Sequence, residues 1–294
     1  MPMLLIEGGY KVIGAGPDGD SVRFYPRDPG QWSLVGGPYA VRRNRLGGAQ
    51  LRLDGIDTLE THYRATHGPE LHQPPPFAQQ AADELLGWLG FGGVVRNTRG
   101  IVTHAEPAAV PGFVLTRTAD LHGRCVALAG RGAAPGRSGS QVDVRVDLLR
   151  TTANFHQLDT GLAFPTYYRK LFVDLREAMT AAVVHARADG SRRFPEGVWS
   201  VDETLGGVKI QGMGTLTDHS VVLPKLFRRL ADYLVLNDGD TSLAGFPDFL
   251  EQRDDRLYVV STGQSTGFGT VVDVPDNHTV RMNRQPEDLV FEEG

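Results

Sequence analysis

Apolar residues in the first half of the chain recur at the two-residue period of half-buried strands. In residues 21–25, Val22 and Phe24 alternate with polar neighbours, and in residues 50–56 Leu51, Leu53 and Gly55 do the same. Residues 10–15 form a short apolar run. Residues 113–118 and 124–129 read as the arms of a hairpin joined by 119–123. Between these strands the period changes. Ala78, Ala81, Ala82, Leu85, Leu86 and Leu89 fall three and four apart, which predicts a helix over 77–89 with Gly90 as its stop.

Residues 130–140 (GRGAAPGRSGS) read as a flexible loop, and Val142, Val144 and Val146 predict a short strand over 141–146. Asp147 is placed to cap a helix running to about residue 160, with Leu148, Phe155, Leu158 and Leu162 on one side. A longer helix is predicted after Pro165, striped by Leu171, Leu175, Met179, Val183 and Ala186 and stopped at Asp189-Gly190. In residues 205–294, Leu223, Leu226, Phe227, Leu230 and Leu234 mark an amphipathic helix, and 257–261, 270–274 and 279–282 read as strands. Strands first and helices later predict an α+β fold whose sheet closes into a small barrel.

Composition narrows the chemistry. The 294 residues include a single cysteine, Cys125, which rules out an intrachain disulfide and a zinc site of several thiolates. Net charge is −5, so bulk charge does not make this a nucleic-acid coat. The charge is uneven: residues 205–294 hold 8 basic and 14 acidic side chains, residues 1–204 hold 22 and 21. No stretch approaches the roughly 20 apolar residues of a membrane span, and the first residues lack the marks of a signal peptide. The expectation is a cytoplasmic protein with no membrane partner.

Two glycine motifs fail on context. Gly14-Ala-Gly16-Pro-Asp-Gly19 matches the dinucleotide fingerprint but leads into a strand where a helix is required. Gly263-Gln-Ser265-Thr-Gly267 matches a nucleophile elbow and is again followed by strand-like sequence. His62, His67 and His72, five apart, read as a solvated loop. Arg228 and Arg229 read as part of an exposed helix face.

Three segments carry candidate chemistry: Asp18-Gly-Asp20-Ser-Val22, Leu51-Arg52-Leu53-Asp54-Gly-Ile-Asp57-Thr58-Leu59-Glu60, and Asp120-Leu-His122-Gly-Arg124. Strand alternation puts Arg52 on the face opposite Leu51 and Leu53. It turns Cys125, next to Arg124, into the barrel. Asp20, Asp57 and Glu60 offer hard oxygens suited to Ca²⁺ or Mg²⁺. Arginines beside such a cation suit phosphoryl chemistry.

In this order the segments resemble the staphylococcal nuclease (thermonuclease) family, which carries D-G-D-[ST]-V, R-L-x-x-[IV]-D-[TA]-P-E and D-x-Y-G-R. The resemblance extends through Asn154, Gly161-Leu-Ala163, Tyr167-Tyr168 and Gly197-Val-Trp-Ser200, covering about residues 8–204. It implies a five-stranded OB-fold barrel with three helices over residues 1–204, followed by a smaller, mixed α/β, acidic extension over 205–294. It also implies a calcium-dependent, sugar-non-specific nuclease acting on single- or double-stranded DNA and RNA and leaving 3′-phosphate ends.

Asp20, Asp57 and the Thr58 carbonyl would hold Ca²⁺, and Glu60 would activate water. Arg52 and Arg124 would bind the scissile phosphate, with His122, Tyr167 and Tyr168 contacting the nucleotide. Leu59 stands where the family has Pro, His122 where it has Tyr, and Leu121 where a basic residue is common. The alternative is a non-catalytic nucleic-acid- or protein-binding module of the tudor-nuclease type. The acidic extension is a candidate docking segment for a protein partner or an inhibitory segment.

Overall fold

Five strands close on themselves in the computed structural model, which describes residues 1–66, 68–188 and 197–292. They are β1 (Pro2–Tyr10), β2 (Ser21–Pro26), β3 (Ala49–Leu53), β5 (Val110–Ala119) and β6 (Cys125–Arg131). β4 (Gly55–Asp57) follows β3 directly. β1 pairs antiparallel with β2, and β2 with β3. β3 runs parallel to β6, matching Leu51 with Cys125. β6 turns back on β5, and β5 closes the barrel on β1, matching Leu115 with Leu5.

The alternation read from the sequence sets the two faces. Val22, Phe24, Leu51, Leu53, Cys125 and Ala127 are fully buried, while Arg52 on β3 points the other way and is partly exposed. Tyr10 crosses the interior and donates to the carbonyls of Phe113 and Gly130 at 2.9 and 2.8 Å. Cys125 lies inside, as alternation requires, with its thiol on Thr116 Oγ1 at 3.2 Å, and burial pushes its pKa up to about 12. The expected apolar run at 10–15 only ends β1 and enters a turn.

Helix α1 (Pro75–Leu89) buries the six apolar positions named above and stops at Gly90, which takes φ +108°. The single helix expected from Asp147 to residue 160 is instead two. A short one spans Val146–Leu149, and α2 spans Ala153–Asp159. Thr152 makes the break, because its hydroxyl donates to the Leu149 carbonyl and its oxygen caps the Phe155 amide. Asn154, fully buried on α2, donates to the carbonyls of Asp54 (2.8 Å) and Ala127 (3.0 Å) and accepts from the Ala129 amide. It fixes the gap where β3 breaks into β4 at Gly55, whose φ is +79°.

Residues 164–168 depart from the helical reading. They form strand β7 (Phe164–Tyr168), antiparallel to β4. α3 (Val173–Ala188) follows, with Leu175, Met179, Val183 and Ala186 buried. Its expected stop at Asp189-Gly190 lies outside the described residues.

Residues beyond 204 join this framework. α4 (Pro224–Leu236) buries Leu226, Phe227, Leu230 and Leu234. β8 (Arg256–Val259) pairs with β9 (Leu289–Phe291), and β9 runs parallel to β7. One sheet therefore passes from β4 through β7 to β9 and β8, with a further strand at Gln264–Gly267. A second hydrophobic cluster mixes Leu59, Ala65, Ala78 and Phe164 with Leu223, Phe227, Phe246 and Phe291. Residues 270–274 enter as a helical turn, Phe268–Val271, before a strand at Val272–Asp276, and the strand at Thr279–Met282 stands where it was read. Both glycine motifs lead into extended chain or a single helical turn, never into an α-helix. Among the described residues no helix is long and apolar enough to cross a membrane.

Candidate active site

Arg52 stands at the junction of two features. On one side is a cavity of about 530 Å³ lined by Tyr39, Arg52, Asp120, Leu121, Tyr168 and Lys170, among others. Its walls come from β3, β4, the β5–β6 turn and β7. The Arg52 guanidinium lies 5.0 Å from the centroid of the Tyr168 ring and donates to its hydroxyl at 3.3 Å. Burial pushes the Tyr168 hydroxyl pKa up, but Arg52 and Lys225 outweigh it, so the net shift is downward.

On the other side is a group of acids that feel one another: Asp18, Asp20, Asp57 and Glu60. Asp20 follows Gly19, where a Cβ would come within 2.7 Å of Ala81 and 2.9 Å of Thr58, so only glycine lets the turn pack there. Gln157 on α2 holds the Gly19 carbonyl at 2.7 Å. Asp18 accepts from Thr61, Ser21 and His62, the last at 3.2 Å. That contact raises the His62 pKa to about 9.

The Glu60 main chain is tied twice to Gln73, whose amide side chain reaches the Val222 carbonyl at 2.8 Å. Leu59 is fully buried in the second cluster, which anchors the Glu60 turn by packing.

The cation facing these acids comes from α4. Arg228 binds Asp57 with two nitrogens, at 2.6 and 3.2 Å, and Glu60 with one, at 2.5 Å. Its side chain is 21 % exposed, so the reading of Arg228 as part of a solvated helix face is corrected. Arg229 is likewise engaged, with Asp255 at 2.5 Å. Lys225 reaches Asp255 at 3.0 Å and lies 4.5 Å from the Phe291 ring centroid.

The pairing separates the acids. Burial pushes the Asp57 carboxyl up, but Arg228 and Arg52 overcome it and hold Asp57 below the usual carboxylate range. Burial and the neighbouring carboxylates Asp57, Asp18 and Glu60 raise Asp20. Burial also raises Glu60, with Arg228 pulling against Asp57 and Asp18.

The structure brings Asp20, Asp57 and Glu60 within electrostatic reach of one another, with Arg52 between them and the cavity. Thr58 is buried next to Asp57, and its hydroxyl has no hydrogen-bond partner among the described residues. Arg124 is held at the cavity edge by Asp120, with Nε on Oδ2 at 2.7 Å. Asp120 lines the cavity and Arg124 does not.

Two residues expected to contact the nucleotide, Tyr167 and His122, do not line this cavity. Tyr167 faces away from Tyr168 because neighbours on a strand point to opposite sides. It is 1 % exposed and bonds Thr180 at 3.0 Å, under α3. His122 is exposed at the tip of the β5–β6 turn, where Asp120 accepts the amides of both His122 and Arg124. Of the three histidines five apart, His62 meets Asp18, His72 contacts the Gln73 carbonyl, and His67 lies outside the described residues.

The donor chemistry suits a hard cation. Asp20 accepts no hydrogen bond from any described residue and feels three other carboxylates, with Arg52 acting against them. Among the described residues no three His, Cys, Asp or Glu side chains cluster tightly enough to form a cage by themselves. Two carboxylates with a main-chain carbonyl make a more open set.

Comparison of the chain with protein-family models and with curated proteins finds no match.

Proposed function

We propose that this protein is a calcium-dependent phosphodiesterase acting on DNA and RNA, built on an OB-type barrel. The reading rests on one observation: Arg52 sits between a nucleotide-sized cavity with an aromatic wall and a carboxylate cluster around the buried Asp57. The strand order β1-β2-β3-β6-β5 with a parallel β3–β6 pair supports the OB assignment.

Asp20, Asp57 and the Thr58 carbonyl would hold the calcium ion, which when bound supplies polarisation of a phosphoryl oxygen. Glu60 accepts a proton from water as the water oxygen bonds to phosphorus, and its upward-shifted pKa favours a general base. The P–O5′ bond breaks as that bond forms; the departing O5′ takes a proton from solvent and Glu60 returns its own to solvent, which leaves a 3′-phosphate and a 5′-hydroxyl. Arg52 donates to the non-bridging oxygens as charge builds on them. Arg124, steadied by Asp120, is the second donor at the rim. Tyr168 offers a ring face to a base, and stacking tolerates any base.

The test is digestion of end-labelled single-stranded DNA and RNA with Ca²⁺ or with EDTA, followed by end-group analysis. Cleavage to 3′-phosphates that needs Ca²⁺ and disappears in Glu60→Gln supports the reading. Intact substrate with the wild-type protein in Ca²⁺ rejects it.

The Arg228 contact favours a second reading, a binding module whose carboxylates are neutralised internally. Such a protein would hold oligonucleotides in EDTA and never shorten them.

A further inference from the structure

Three places outside the proposed reaction invite an inference: the apolar hollow between α3 and β9, the charged knot of Lys225, Arg229 and Asp255, and the Arg228 contact. Nothing in the structure indicates what would cover the hollow. The knot is closed on itself by ion pairs. Arg228 is different, because it reaches out of α4 into the candidate site.

We infer that Arg228 is an internal cation that competes with the divalent ion for Asp57 and Glu60, so that residues beyond 204 restrain the site. This rests on the phosphodiesterase reading and names its regulation. The geometry carries it. Three guanidinium contacts cover both carboxylate oxygens of Asp57 and one of Glu60, all within 3.2 Å. An ion bound by Asp57 would lie beside this fixed positive charge, and Glu60 would reach water only after giving up its bond to Arg228.

The backbone that presents Arg228 is firmly seated. Leu226, Phe227 and Leu230 on either side are fully buried, and Lys225 and Arg229 are anchored on Asp255. Release is therefore a movement of the Arg228 side chain while α4 stays in place. Among the described residues Asp20 makes no guanidinium hydrogen bond, and Arg52 acts on it only electrostatically. The site is half neutralised from within: Asp57 and Glu60 are paired, and Asp20 waits.

A guanidinium that must leave before the ion binds lowers the competent fraction, and apparent affinity falls by that fraction. Removing it raises affinity but takes from Asp57 and Glu60 the cation they are bonded to in the ion-free protein. Arg228→Gln should therefore be less stable than wild type without Ca²⁺ and should gain more from Ca²⁺.

The experiment is calorimetric titration of Ca²⁺ into full-length wild type and Arg228→Gln, with melting curves of both at several Ca²⁺ concentrations. The expected result is a Kd at least about tenfold lower in Arg228→Gln, as for a competent fraction of about one in ten, and a larger Tm rise. Equal or weaker binding in the variant overturns the inference and leaves the phosphodiesterase reading standing. Absence of Ca²⁺ binding in both proteins overturns both.

If Arg228→Gln does not melt cooperatively, the wild-type arginine Nε–H resonances decide. A resonance assigned to Arg228 that shifts in step with Ca²⁺ saturation supports the inference. One that stays fixed while Ca²⁺ binds overturns it.

Discussion

The Arg52 guanidinium packs on the ring of Tyr168 while donating to that side chain's hydroxyl, which joins β3 to β7 across the mouth of the cavity. Arg52 also feels Asp57, so one side chain links the aromatic wall to the acids. Its position depends on the break at Gly55, which lets β4 leave the barrel and pair with β7.

Arg52→Ala should lower kcat/KM on an oligonucleotide by about 10²–10³, the usual cost of one transition-state donor. Arg52→Lys should recover little of it, because an ammonium offers neither the planar fork nor the same stacking. Steady-state kinetics on both variants, with circular dichroism as the folding control, checks this. Full activity in Arg52→Lys would show that charge alone suffices.

Asn154→Ala should destabilise the protein by about 3 kcal/mol, since two buried carbonyls and one buried amide lose their partner together. Urea unfolding should show a lower midpoint with an unchanged slope. A change under about 1 kcal/mol would mean that water replaces the side chain.

Asp20→Asn should stabilise the ion-free protein at neutral pH. The folded-state pKa of Asp20 is raised, so its contribution to stability is lost as pH rises from the unfolded value of 3.8 through the folded one. Asparagine removes that charge. Melting in EDTA at pH 5 and pH 8 should show a gain that is larger at pH 8. The same variant should lose Ca²⁺ affinity, and a gain in both properties would contradict the ligand role.

His62 should titrate near 9 in place of 6.5 because of its bond to Asp18. A raised histidine pKa contributes stability that is complete below about 6.5 and fades as pH rises through about 9. An imidazole NMR titration measures the midpoint directly. Asp18→Asn should return it toward 6.5.

The barrel was legible in the sequence because its signal is local. Val22, Phe24, Leu51 and Leu53 alternate in the sequence and alternate in the structure. Helix α1 was legible through its spacing and its glycine stop. β7 was not, because its strand character comes from partners at residues 55–57 and 290–291, and its own apolar residues fit either period. Tyr167 and Tyr168 were separable only once that strand was known.

Arg228 left no local trace. It lies 171 residues from Asp57 and occupies the polar side of an amphipathic helix, where charged residues are ordinary. The acids were found through their order along the chain. The cation that pairs with them was found only in three dimensions.

The 171-residue separation has a consequence during synthesis. At about 5–20 residues per second, roughly ten to thirty seconds pass between the making of Asp57 and of Arg228. Through that interval the emerging chain carries Asp57 and Glu60 without their guanidinium, and Leu59 without the later members of its hydrophobic cluster, Phe227 and Phe291 among them. Those acids stay hydrated until α4 arrives. Desolvation of the site and delivery of its internal counter-charge are thus one late folding event, and the ribosome sets its earliest time.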